Sequence, residues 1–261
     1  MTAPVQTTVK HLHAPKLKET EKDYQDHFDV RVRPTDNPMV IAAIADGATD
    51  SAFAARWAQE LTQLFVECPP ANEEGLLSYI CEWLKPAQDA WHESVPWDRV
   101  PWHGIDKARR GAVATFLGIT IESADDGQLK LQSIAVGDCE LIIIDSENQV
   151  TMKFPVAEAS EFNNRPDLIC SNPNGNQGID GQVKRATASI GVNDQVILTT
   201  DAMAEWLLRE ELSPAMYRQI AQMDDAAFAA WLQSERDNGR IKNDDTTIAI
   251  IEFTSPDLAP S

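Results

Sequence analysis

The chain has 261 residues, 43% of them apolar, with 41 acidic against 22 basic side chains and a formal charge of −19. This length suits one large domain or two small ones with a sizeable core. The acidic balance argues against a general nucleic-acid or anionic-membrane surface and is compatible with a cationic protein partner or a bound metal. Cys68, Cys81, Cys139 and Cys170 contain no CxxC pair, which argues against a zinc knuckle or thioredoxin-type site and suggests reduced, mostly buried thiols in a cytoplasmic protein.

Residues 1–22 are polar, carry Pro4 and Pro15, and read as an extended N-terminal segment without a signal-peptide core. No run reaches the roughly 18 apolar residues of a membrane span. Phe28 to Val32 alternates as a strand, Pro34 to Pro38 reads as a turn, and 39–45 is a continuous apolar strand. Phe53, Trp57, Leu61, Leu64 and Phe65 recur at helical spacing over 50–66, with Asp50 or Thr49 as the expected cap. A second helical pattern runs over 73–93, interrupted by Pro86. From Gly111 the period changes to strands at 112–122, 128–136, 140–144 and 149–154, joined by turns that make antiparallel hairpins. Residues 155–182, rich in Asn, Pro and Gly, read as a long surface loop. A strand follows at 194–200, then helices from Ser213-Pro214 and over 224–237, and a closing strand at 246–253. Trp57, Trp83 and Trp231 fall on helix faces expected to be core.

Helices thus come in pairs between groups of strands. The expected fold is α+β, a four-layer α-β-β-α sandwich of two mainly antiparallel sheets flanked by helix pairs, in one domain over 23–254 with a tail at 255–261. Aspartates recur at the ends of its apolar runs: Asp46 after 40–45, Asp138 after 134–137, Asp201 after 196–200, and Asp244 before 246–251. Strands that release carboxylates at their tips can bring them together, and clustered carboxylates repel unless cations neutralise them. Such a cluster reads as a site for hard divalent metals.

These aspartates and their neighbours resemble the metal-dependent protein phosphatases of the 2C (PPM) type, in a bacterial form. Tyr24-Gln25-Asp26 resembles the opening acidic element and Ala45-Asp46-Gly47-Ala48 the Asp-Gly-x-Gly element. Gly111 to Thr115 falls where the family has a Gly-Ser/Thr-Thr-Ala strand, and Val136-Gly137-Asp138-Cys139 resembles Gly-Asp-Ser. Thr200-Asp201-Ala202-Met203-Ala204-Glu205 resembles Thr-Asp-Gly-x-x-Asp/Glu, and Asn243 to Thr247 the closing element. The resemblance covers about residues 20–253. It implies hydrolysis of phosphoserine or phosphothreonine in proteins, opposing a bacterial protein kinase, with that kinase or its target as partner. It also implies two or three Mn²⁺ or Mg²⁺ ions. Asp46 would bridge two of them, Gly47 would add its carbonyl, Asp201 and Asp244 would complete one, and Asp138 would serve a third. Asp26 would orient the attacking water, and Glu205 could assist the third ion. Two ions about 3.5–4 Å apart can ready a bridging water for in-line attack at phosphorus without a covalent nucleophile.

The chain departs from the family pattern in places. Thr49 and Asp50 replace later glycines of the Asp46 turn, and Ala48 replaces a histidine present in some members. The family's phosphate-binding arginine has no equivalent; Lys22 and Lys18 are the nearest cations, with Arg56 and Arg165 as further candidates. These departures motivate an alternative, a catalytically weak binding or regulatory module. A haloacid-dehalogenase-type reading needs a second aspartate that Asp46-Gly47-Ala48 does not supply. Asp23, Asp29 and Asp245 are expected to face solvent. The five histidines lack zinc spacing, and residues 155–182 lie where the family carries a variable flap.

Overall fold

A computed structural model describes residues 6–33, 39–72, 75–76, 80–123, 128–162, 165–209 and 214–254. In chain order the elements are strands β1 (Gln6–Ala14), β2 (Asp26–Arg33) and β3 (Met39–Gly47), helix α1 (Ala54–Glu67), the short strands β4 (Ala71–Asn72) and β5 (Gly75–Leu76), and helices α2 (Ile80–Ser94) and α3 (Ile105–Arg110). Strands β6 (Val113–Ser123), β7 (Leu129–Val136), β8 (Glu140–Ile144), β9 (Val150–Phe154), β10 (Ile169–Cys170), β11 (Lys184–Ile190) and β12 (Gln195–Thr199) follow. Helices α4 (Asp201–Arg209), α5 (Pro214–Gln222) and α6 (Asp225–Asp237) and strand β13 (Thr246–Thr254) complete the chain.

One sheet has the order β1-β13-β12-β8-β9, the other β11-β7-β6-β3-β2 with β10 beside β6. All their pairings are antiparallel. The two-residue period of a strand explains why the apolar runs are continuous: both faces are covered. Ile41, Ala43 and Ala45 of β3 pack under Trp57, Leu61 and Phe65 of α1. Val40, Ala42 and Ile44, their neighbours, face inward with Leu141, Ile143, Val196, Leu198, Ala249 and Ile251 of the other sheet. Ile142, Ile197, Ile248 and Ile250 point outward to meet Met203, Leu207, Phe228 and Leu232 of α4 and α6. The result is the four-layer α-β-β-α sandwich that the sequence implies. Complete burial of side chains such as Trp57, Leu61 and Phe65 contributes roughly 1.5–3 kcal/mol each. Gly118 is required under Phe65, because a Cβ there would stand 2.5 Å from the ring.

Several local expectations change. Residues 6–14, read as an extended lead-in outside the domain, pair along their whole length with β13. Helix α1 starts later than expected. Its N-cap is Phe53, at φ 60° with no side-chain cap, and neither Asp50 nor Thr49 caps it. Pro86 lies inside an unbroken α2, and Gly75 and Leu76 pair with Ala71 and Asn72 rather than joining that helix. The 155–182 region contains β10 and three single 3₁₀ turns. Trp57 is core, whereas Trp83 and Trp231 are only partly buried against it. The turns expected at 34–38 and 125–127, and Ser213, lie outside the described residues.

Candidate metal centre

Antiparallel pairing gathers five carboxylates at one end of the sandwich. Asp26 opens β2 and Asp46 nearly closes β3, directly opposite each other in register. Asp138 follows β7, Asp201 follows β12 and opens α4, and Asp244 precedes β13. Asp46, Asp138, Asp201 and Asp244 line a cleft of about 280 Å³ with Ala48, Thr49, Asp50, Thr115, Pro166, Leu168 and Lys242. A larger hollow of about 780 Å³ beside β9 and α4 is lined by Lys153 and Glu158 among apolar and neutral residues and has no comparable cluster.

The turn after Asp46 shows how the chain manages without the later glycines. Ala48 N–H donates to Val113 O (2.9 Å), and Ser51 donates to Ala48 O through both N–H and hydroxyl (2.9 Å each). Val113 N–H in turn donates to Ser51 Oγ (3.2 Å). Ala48, Thr49 and Asp50 are not among the residues at positive φ, so the turn does not need glycine there. Gly47 is different. A Cβ on it would lie 2.8 Å from Gln25 O and from the Ala54 backbone.

Asp26 is 3% exposed. Its Oδ2 accepts from the hydroxyls of Thr200 (2.9 Å) and Thr247 (2.8 Å), while Oδ1 is buried without a partner. Burial pushes its carboxyl up to about 8 against these hydroxyl bonds, and Asp245 and Asp201 push the same way. Asp46 is held well above the carboxylate range by burial, then by Asp26, Asp201, Asp244 and Asp138. Burial and then Asp201 bring Asp138 to about 7. One group thus feels four other carboxylates. The sequence-predicted set is brought together electrostatically.

The cations are not those expected. Lys242 Nζ lies 2.8 Å from Asp201 Oδ2 and 2.9 Å from Asp244 Oδ2. Burial lowers its pKa, but Asp201 and then Asp244 outweigh burial and the net shift is upward. Lys16 Nζ donates to Thr49 Oγ1 (2.9 Å) and stands 3.8 Å from Asp244 Oδ1. Arg236 of α6 is buried and donates to Pro15 O (2.8 Å), Thr246 Oγ1 (2.9 Å) and Asp244 O. Lys22 and Arg56 border a neighbouring hollow with Lys16, and Arg56 pairs with Glu60 at 2.6 Å. Glu205 pairs with Arg209, and His27 turns to Thr62 of α1. Asp245, expected in solvent, is 3% exposed and accepts from the N–H groups of Lys16 (2.9 Å) and Gln25 (2.8 Å). It ties the exit of β1 and the entrance of β2 to β13.

Among the described residues, no three His, Cys, Asp or Glu side chains form a ready-made group around an ion. The donor chemistry nonetheless fits a hard divalent cation. The donors are all oxygen, they repel one another, and Asp26 Oδ1 and Asp201 Oδ1 are buried with nothing to bond. Two of the carboxylates are instead closed on Lys242.

Comparison with solved structures decides the fold. The photosystem II phosphatase PBCP superposes with a TM-score of 0.56 at 17% identity, over 95% of this chain and 98% of that one. The chain has the fold of the 2C-type protein phosphatases. Serine/threonine phosphatase Stp1 from Staphylococcus aureus is similar at TM-score 0.55 and 10% identity, over 97% of both chains. The catalytic domain of the serine/threonine phosphatase PstP, solved with two manganese ions, is similar at 0.53 and 12%, over 96% of this chain and 99% of that one. No family model and no curated protein matches the sequence. In this 2C-type fold, sequence reasoning missed Lys16, Lys242, Arg236 and the buried Asp245. Only Lys242 and Asp245 carried a signal, each adjoining a strand-end acidic motif.

Proposed function

We propose that this chain is a divalent-metal-dependent phosphatase that hydrolyses phosphoserine or phosphothreonine in proteins, opposing a bacterial protein kinase. Asp46, Asp201 and Asp244, with the Gly47 carbonyl and Asp138, would hold Mn²⁺ or Mg²⁺. Bound there, such ions supply Lewis acidity and an activated water. The observation that carries this reading is the convergence of five strand-end carboxylates with unpartnered buried oxygens on Asp26 and Asp201. Asp26, fixed by Thr200 and Thr247, would orient a water or hold its proton. Lys16, beside Thr49 at the cleft, is a cation available to a substrate phosphate in place of the missing arginine. Pro166 and Leu168, from the 155–182 region, wall the same cleft, and substrate choice would lie there. The test is phosphate release from p-nitrophenyl phosphate and a phosphothreonine peptide in Mn²⁺. Release that depends on Mn²⁺ is expected; none with ample metal on either substrate removes the enzyme reading.

A second reading, a catalytically weak binding module, is favoured by one observation: Lys242 closes Asp201 and Asp244 on itself. It predicts phosphopeptide binding by titration calorimetry without phosphate release.

A further inference from the structure

Asp201 and Asp244 lie 43 residues apart and reach the cleft from different elements, yet one ammonium bridges them. Lys242 Nζ is at 2.8 and 2.9 Å from one oxygen of each. Its side chain is 44% exposed, so it enters from the cleft mouth and has open space to retreat into. The Arg236 guanidinium donates to the backbone carbonyl of Asp244, and Asp244 N–H donates to Lys242 O (3.0 Å), so the backbone of this segment is held apart from the Lys242 ammonium. A divalent ion binds carboxylate oxygens at about 2.0–2.2 Å. An ammonium already within hydrogen-bond reach of the same two carboxylates would sit against that ion, and like charges that close repel strongly. Both cations cannot serve the same Oδ2 oxygens of the pair together.

We propose that Lys242 is a built-in counter-cation that competes with the divalent ion for Asp201 and Asp244, so that metal enters only by displacing its ammonium into the cleft mouth. This rests on the metal-centre reading above. It raises the metal concentration at which this half of the site fills, by the fraction of time Lys242 occupies the pair.

The test measures metal binding without substrate. Manganese titration calorimetry on the full chain is compared for wild type, Lys242→Met, which keeps the stem and removes the charge, and Lys242→Arg, which keeps the charge. The Met variant should bind Mn²⁺ about tenfold tighter or more, with the Arg variant within about threefold of wild type. A Met variant that binds no tighter than wild type overturns the role of Lys242. If wild type and both variants all fail to bind, the phosphatase reading falls as well; if all bind equally, only the role of Lys242 falls. A second measurement needs no variant. Lys242 acetylation by acetic anhydride, followed by mass spectrometry on wild type, should rise several-fold when Mn²⁺ replaces EDTA. Unchanged labelling contradicts displacement.

Discussion

Asp26, Asp46 and Asp138 gather on the β2-β3-β7 side of the cleft and meet their charge surplus differently from Asp201 and Asp244 on the opposite sheet. The first three make no ion pair among the described residues, and burial pushes all three carboxyls up, Asp26 to about 8 and Asp138 to about 7. Burial favours the protonated forms there. Asp201 and Asp244 share the Lys242 ammonium, with Lys16 3.8 Å from Asp244. The two sides differ in exposure: Asp26 and Asp138 are buried, whereas the side chains of Asp201 and Asp244 are 18% and 28% exposed, within reach of a lysine from the segment before β13. On the proposed reading, a divalent ion would replace protons on one side and an amine on the other.

The comparison can be broken most forcefully at the ligands. Asp46→Asn, on the proton-bearing side, is expected to lower turnover about 1,000-fold, and Asp201→Asn about 100-fold or more, with unchanged circular dichroism. Wild-type turnover by Asp201→Asn at saturating substrate would remove that residue from the site. On the amine side, Arg236→Met removes a buried guanidinium that ties β1, Asp244 and Thr246 together. It should cost about 2–4 kcal/mol in urea unfolding and weaken Mn²⁺ binding.

pH sharpens the contrast. Unfolded aspartates lose their protons near pH 4, whereas folded Asp26 and Asp138 keep theirs to about 8 and 7. The folded chain therefore binds more protons between about pH 4 and 8, and metal-free stability falls as pH rises through that window and levels off above it. Thermal unfolding in EDTA should give a midpoint several degrees lower at pH 9 than at pH 6, and Asp26→Asn should lessen the drop. Because Mn²⁺ replaces these protons, its binding should release them and become tighter with pH. A midpoint that rises from pH 6 to 9 in EDTA contradicts the proton-bearing assignment. The smallest expected effect lies outside the cleft. Asp224 caps α6 by accepting from Ala227 N–H at 2.8 Å, so Asp224→Ala should cost about 1 kcal/mol and leave Mn²⁺ affinity unchanged.

The buried strands were legible because both faces are covered, which writes continuous apolar runs such as 40–45 and 141–144 into the sequence. β1 and β11 were not read as strands. They lie at sheet edges, and Gln6–Ala14 and Lys184–Ile190 carry the polar side chains that an exposed face permits. The candidate ligands stood out because each ends an apolar run within a motif. Lys242 did not, since its pairing with Asp201, 41 residues away, follows no helix or strand period. Asp245 is expected in solvent beside Asp244, and only the return of β1 to β13 shows why it is buried. Arg236 falls four residues after Leu232 and eight after Phe228, on the inward face of α6, so its position follows the helix period and only its charge obscures it.

Anomalous scattering from crystals soaked in Mn²⁺, collected at the manganese edge, bears most directly on the cleft as a metal centre. The expected result is a peak between Asp46, Asp201 and Asp244, with Lys242 Nζ moved away from both of its carboxylates. A map with no peak there at millimolar Mn²⁺, and Lys242 still bridging Asp201 and Asp244, would contradict it.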